Sequence, residues 1–423
     1  MQQKTTLGQS PAMGRTAVYA VSFSLVLNMA GYLSVAAILP TLIDRWHLTE
    51  VEAGWLASCH IGVYAVAAIL LLPLTDRLNV QRMIVLSLLA GAVGGLGFAW
   101  LADGFWSGVL FRALVGIAQA GVYMPGLKLI ADGLQGSERA QATALYSSMV
   151  PIGSGLSLWL PSAPLLADEW RLMFVVTGLA CLVGCALMLF LVPSRSHASA
   201  TKAKPGSPYA FRDVFNNMPV MRYIVSYAGH TWETFAFRAW VVTFFGFSAT
   251  RSIENGEWMP ELTSLAALII VVAAPASMVF GRWCARRGFD RPLRMASITS
   301  LLVSFLLASF VGDHPYLVFA MAAVYGIVGF ADQGALGSAV IEASDPEARG
   351  STLAVYTLFG FGFGMLGAVA GGFVLHAFGG IHNPFAWQML WITCGGGALL
   401  TSLMVWLRPS ITVLQREDRR EPN

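Results

Sequence analysis

Twelve apolar runs, each long enough to cross a lipid bilayer, constrain this chain more than any other feature of its sequence. They lie near residues 17–40, 54–74, 83–102, 105–132, 141–161, 171–193, 219–247, 261–284, 292–312, 315–340, 351–376 and 387–408. A spanning helix needs about 20 apolar residues, and a backbone in hydrocarbon must satisfy its own hydrogen bonds, which helices do. Of the 423 residues, 56% are hydrophobic and only 12% are charged, with a mean hydropathy of +0.64. A soluble chain of this length could not hide that much apolar surface, so the solvent is lipid and the fold is an all-α membrane protein.

Charge distribution gives the orientation. Of 26 Lys and Arg, only Arg45, Arg171 and Arg251 fall outside when both termini are placed in the cytoplasm. Arg112, Lys128 and Arg238 fall in spans, and the rest face inward, as the positive-inside rule requires. Trp46, Trp55, Trp100, Trp106, Trp159, Trp170, Trp240, Trp258, Trp387 and Trp391 then land near the outer interface, the layer that indoles prefer. The polar first 16 residues precede a run too long for a signal-peptide core and without a clear cleavage site, so it reads as a retained first span. The five cysteines, Cys59, Cys181, Cys185, Cys284 and Cys394, read as small packing residues rather than metal ligands.

The chain divides in two. Ser194 to Met218 is the only long polar segment and reads as a cytoplasmic linker, leaving residues 1–193 and 219–423 as six-span halves. Gly116, Arg139, Ala144 and Tyr146 recur as Gly326, Arg349, Ala354 and Tyr356, always 210 residues later, and Arg77 and Arg82 recur as Arg286 and Arg291, 209 later. Six spans per half keep corresponding helices in the same orientation, so the repeat is parallel, and a binding site is expected between the halves near mid-membrane.

Three motifs carry a family resemblance. Leu72-Pro-Leu-Thr-Asp76-Arg77-Leu-Asn79-Val-Gln-Arg82, between spans two and three, resembles the major facilitator superfamily signature GxLaDRxGRr. Gly281-Arg-Trp-Cys-Ala285-Arg286-Arg-Gly288-Phe-Asp-Arg291 resembles its second copy, and Arg112-Ala-Leu-Val-Gly116-Ile-Ala-Gln-Ala-Gly121 is similar to the family pattern RxxxGxgxG of span four. Leu72 and Asn79 stand for glycines in the first copy, and Ala285 for the acid in the second. The resemblance implies two pseudo-symmetric six-helix bundles that rock about a central cavity to give alternating access. It further implies that Asp76, Arg77, Arg82, Gly281, Arg286, Gly288 and Arg291 govern the conformational change. A carboxylate at the Asp76 position can pair with helix N-termini or arginines across the seam. Met149-Val-Pro151-Ile-Gly153 departs from the glycine signature of nitrate carriers, so the subfamily is unassigned.

Ionisable groups inside spans cost about 2.5–3.5 kcal/mol each on insertion scales, so they mark pathways by default. Span seven holds the densest group, Ser226-Tyr-Ala-Gly-His230-Thr-Trp-Glu233-Thr-Phe-Ala-Phe-Arg238. Tyr223, Tyr227, His230, Thr234 and Phe237 share one stripe with Glu233 at its edge, while Arg238 lies about 140° from Glu233 at helical periodicity. Desolvation acts against the charged form of a carboxyl or imidazole, which makes Glu233 and then His230 the candidate proton carriers; a fixed interhelical ion pair is the alternative. Asp332 in span ten reads equally as a second titrating site, a partner for a base, or a cap where the helix breaks at glycines. In span four Arg112, Gln119 and Tyr123 form a polar stripe; Arg112 needs an anion or snorkels to the interface. His60 with Tyr64, and Asn28 with Tyr32, either line a cavity or bond neighbouring helices. In span eleven, Gly360, Gly364, Gly367 and Gly371 predict close helix packing.

The expected function is secondary transport of a small organic solute, a carboxylate-type anion on the strength of Arg112, His60 and Arg238, coupled to protons, with Tyr227 as a further candidate solute contact. The expected partners are that solute, protons and membrane lipid, with no nucleic acid, no cofactor and a monomeric chain, in a bacterial-type inner membrane. No phosphate loop, metal cluster or nucleophile–base pair supports an enzyme or ATP drive. A proton-coupled exporter of hydrophobic compounds and a non-transporting, transporter-like sensor are the alternatives.

Overall fold

The computed structural model describes residues 13–76, 78–166, 169–193, 211–345 and 348–407. Every regular element among them is helical. The spans become α1 (Arg15–Met29), α2 (Glu50–Leu71), α3 (Val80–Leu101), α4 (Phe105–Gly133), α5 (Gly136–Trp159) and α6 (Trp170–Leu191) in the first half. The second half supplies α7 (Met218–Glu254), α8 (Leu262–Arg287), α9 (Asp290–Ser309), α10 (Pro315–Ala331, resuming as Gln333–Ala343), α11 (Arg349–Ala377) and α12 (Pro384–Trp406). Among the described residues nine helices are long and apolar enough to cross a membrane by length and composition alone. The other three are α1, shortened to 15 residues by a break, and α5 and α7, whose polar residues dilute the pattern.

The lipid-facing surface is plain from what it exposes. Leu70, Leu86, Val93, Leu101, Phe190, Met278, Val279, Leu302 and Phe373 are all exposed, a coverage no monomer in water would tolerate.

Two interruptions depart from regular helix. Span one stops at Met29 and resumes as a short turn at Ser34–Ala37; the Leu33 amide is held by Ser157 Oγ of α5 at 2.8 Å, and Ser34 Oγ donates to Gly31 O at 2.9 Å. Span ten breaks at Asp332, whose side chain does not cap the following helix.

Contacts divide the chain into two compact units: residues up to Ala37 with those from Val63 through the first half, and Ile38–Gly62 with the second half. In the first unit, Tyr146 of α5 donates to Val122 O of α4 at 2.9 Å. Its repeat partner Tyr356, in the second unit, sets its hydroxyl against Gly337, where a Cβ would stand 3.2 Å away. The repeated tyrosines thus pack span five on span four, and span eleven on span ten.

Within the second unit, α7 is gripped by glycine faces. A Cβ at Gly364 would meet the Phe235 ring at 2.6 Å, one at Gly371 the Trp240 indole at 2.8 Å, and one at Gly367 would overlap the Trp232 carbonyl. Gly229 of α7 and Gly397 of α12 press backbone on backbone; a Cβ at Gly229 would stand 2.5 Å from Gly397 O. The first half of α2 joins this unit, with Gly54 against Ala368 O and Ser58 Oγ 3.4 Å from Met365 O.

The tryptophans split. Trp100, Trp106 and Trp258 are exposed, as interface anchors should be, but Trp240, Trp387 and Trp391 are fully buried. Their rings pack with Phe244 between α7 and α12, and Trp240 Nε1 donates to Ala368 O at 2.9 Å. Position along the span places an indole near an interface; only the helix face decides whether it meets lipid.

The glycine crossing yields a prediction. Gly397→Val forces α7 and α12 apart and costs about 1–3 kcal/mol or more, so purified protein should melt several degrees lower. Wild-type thermal stability in that variant would refute the close crossing.

Candidate functional site

The sequence-predicted residues fall into three places, each inside a single unit. The first is the break in span one. Arg112, fully buried in α4, donates from Nη1 to Gly31 O at 2.8 Å and from Nη2 to Tyr32 O at 2.7 Å, with Ser34 Oγ at 3.4 Å. A cation suits the carbonyl-rich C-terminal end of a helix, where the last carbonyls lack intrahelical donors. The residue expected to face a solute therefore spends its terminal nitrogens on the backbone of its own unit. A small cavity beside it, about 10 Å³, is lined by Asn28, Ser34, Arg112, Thr177 and Cys181 with glycines of α3. Asn28 lines this cavity, while Tyr32 contributes its carbonyl. Gln119 is buried on the α4 stripe with no partner for its amide nitrogen, and Tyr123 stacks on Tyr146 at 6.1 Å. His60 and Tyr64 are both buried, one on each side of the boundary between the units.

The second place is an acid cavity in the second unit, again about 10 Å³, lined by His230, Glu233, Ser297, Ser300, Gly329, Asp332 and Thr401. His230 Nδ1 lies 2.7 Å from Asp332 Oδ1, close enough for an ion pair but off the line of a hydrogen bond. Asp332 follows Gly329 by three residues and Tyr325 by seven, so it falls on the same face of span ten as those two, towards α7. Tyr227 stacks on His230 at 5.9 Å and on Tyr356 at 4.0 Å, fixing the imidazole between ring and acid. Glu233 accepts a short hydrogen bond from Ser300 Oγ, and the Tyr325 phenol faces the same carboxyl without good alignment. No described lysine, arginine or histidine forms an ion pair with Glu233. All three ionisable groups are 3–5% exposed. An imidazole–carboxylate contact beside a hydroxyl-bound carboxyl can hold, pass or release a proton with small side-chain movement.

The third place is Arg238, partly buried, with its guanidinium carbon over the rings of Phe235 at 4.9 Å and Phe330 at 4.5 Å. Glu233 and Arg238 do not pair, in keeping with their angular separation.

The signature loops are less informative. Arg77 lies outside the described residues. Asp76 ends a 3-10 turn, Leu72–Asp76, and Asn79, which replaces a family glycine, caps α3 by accepting from the Arg82 amide at 3.1 Å. Gly288 ends α8 at φ +79°, a conformation that favours glycine, while Gly281 has open space around it. Arg82, Arg286 and Arg291 are exposed.

Sequence reasoning missed Ser297, Ser300 and Thr401 in the acid cavity. A signal existed: Ser297, Ser300 and Ser304 recur at i, i+3 and i+7 in α9, and all are buried. It also missed Asp290, which accepts from Arg222 at 3.0 Å and from Tyr223 Oη at 2.7 Å and ties α9 to α7.

With fold and site described, likeness to known proteins can be stated. The Major Facilitator Superfamily model matches residues 21–331 and again 259–422. The chain belongs to the major facilitator superfamily. It is 28% identical over 188 residues to protein spinster homolog 1 of Homo sapiens, a match covering 44% of this chain and 35% of that protein. It thus spans about a third of the spinster homologue's length. It is 23% identical over 337 residues to the probable L-galactonate transporter of Escherichia coli (strain K12), covering 75% of this chain and 72% of that one. Among solved structures, a bacterial homologue of the human lysosomal transporter Spinster, inward-facing and unoccupied, superposes with TM-score 0.76 at 19% identity over 98% of this chain and 100% of that one. A nucleoside transporter gives 0.71 at 14% over 92% and 98%. At such identities the superpositions show the fold.

The Arg112 geometry makes a prediction. Arg112→Leu leaves two carbonyls unmet at about 1–3 kcal/mol each, so the variant should melt lower and weaken acidic and neutral solutes alike. Selective loss of acids would instead place Arg112 at the solute.

Proposed function

We propose that this chain is a proton-coupled secondary transporter of a small organic anion, working by alternating access in a cytoplasmic membrane with both termini on the cytoplasmic side. The observation that carries the reading is the acid cavity, where His230, Asp332 and Glu233 converge with hydroxyls and with no arginine or lysine among the described lining residues. A structural ion pair needs only two members; a second acid bound by a hydroxyl is a costly addition unless its charge changes during work. Coupling then requires only that proton and solute favour the same conformations, since a ligand shifts an equilibrium through differential affinity. Glu233 is assigned as the proton carrier, with the His230–Asp332 contact as its relay. The name of the Escherichia coli relative supports the anion, because galactonate is a carboxylate. Family membership and the transporter name of the Escherichia coli relative support carriage rather than catalysis.

In proteoliposomes with an imposed proton gradient, Glu233→Gln should abolish uphill accumulation of a solute that wild type concentrates, while solute exchange at equal pH persists. Accumulation at the wild-type level would remove Glu233 from coupling.

A further inference from the structure

Arg238 follows Glu233 by five residues on α7, about 7.5 Å along the helix axis, and lies sixteen residues before the end of that 37-residue helix at Glu254. It lies inside the apolar run 219–247. Among the described residues no carboxylate forms an ion pair with it, and its Nε is buried without a hydrogen-bond partner. What it has instead is aromatic: Phe235 and Phe330 under the guanidinium carbon, with Phe361 of α11 meeting Phe235 edge-on at 5.8 Å. Ring faces attract a cation only weakly, by less than removing it from water costs. The rings therefore position this charge without neutralising it, and they leave its N–H donors for something else. A guanidinium offers a planar fork that matches a carboxylate through two parallel hydrogen bonds.

Gly329, the residue before Phe330, borders the acid cavity, so α10 supplies adjacent residues to the proton site and to the cation. We propose that Arg238 is the anchor for the carboxylate of the transported solute, that Phe235, Phe330 and Phe361 flank the carbon skeleton beside it, and that the solute carries one negative charge. The single charge follows from one unmatched cation: His230, the other base on this stretch of α7, is already taken up by Asp332, so a second carboxylate finds no cation left to it among the described residues. This rests on the reading of the chain as a transporter of organic anions.

The test uses the full chain, wild type and as Arg238→Gln and Arg238→Lys, with acetate, lactate, gluconate and benzoate set against their amides and against succinate. Thermal melts report binding, and counterflow of the labelled acids in proteoliposomes reports flux. At least one monocarboxylate should raise the wild-type melting temperature, its amide and succinate should not, and Arg238→Gln should lose the shift. Arg238→Lys, which keeps the charge but not the fork, should bind about 10–100-fold more weakly, as expected for losing a charge-assisted hydrogen bond. If Arg238→Gln fails to fold, the lysine variant decides the matter. Equal shifts in wild type and variants, amides as effective as acids, or no response of wild type to any monocarboxylate would overturn the anchor. Acid binding that depends on Arg238 without counterflow would uphold the anchor and sink transport. Counterflow of amides that ignores Arg238 would do the reverse.

Discussion

A peptide group in hydrocarbon has no water to turn to, and that constraint organises both units of this protein. The chain interrupts its helices inside spans one and ten, and a charged side chain sits at each break. In the first unit the carbonyls of Gly31 and Tyr32 are taken up by Arg112, so a cation that looks functional in sequence completes a broken helix. In the second unit the break falls on Asp332 itself, which turns towards His230. One interruption consumes its charge; the other presents it.

The presented charge lies in a wall made precise by small residues. Because Gly364, Gly367 and Gly371 bring α11 onto α7, and Gly397 brings α12 onto it, α7 is held on two sides by backbone. Rigid placement of α7 fixes Tyr227, His230 and Glu233 relative to α9 and α10, where Ser300, Tyr325 and Asp332 wait. Side chains placed by packed helices need little ordering when a proton or ligand arrives, which keeps the cost of binding low.

The charges on α7 therefore divide by environment rather than by type. His230 and Glu233 are enclosed among hydroxyls and an acid, while Arg238, a little over one turn on, is enclosed among phenyl rings. Arg222, nearer the start of the same helix, is held by Asp290. One helix thus carries a structural pair, a hydroxyl-bound acid and a ring-bound cation in sequence.

The number and order of spans, the repeat, the concentration of ionisable groups on span seven and the glycine face of span eleven were all legible in the amino-acid sequence. Each depends on local periodicity, on apolar length against bilayer thickness, or on residues that keep their meaning wherever the helix lies. Tertiary structure alone decided that Arg112 meets backbone, that Trp240, Trp387 and Trp391 face inward, that Ser300 and Tyr325 attend Glu233, and that Ile38–Gly62 cluster with the second unit. The physical reason is that a helical wheel gives the direction of a side chain and says nothing of its partner. Partners are set by which helices touch and where they break, and those contacts join residues tens to hundreds of positions apart.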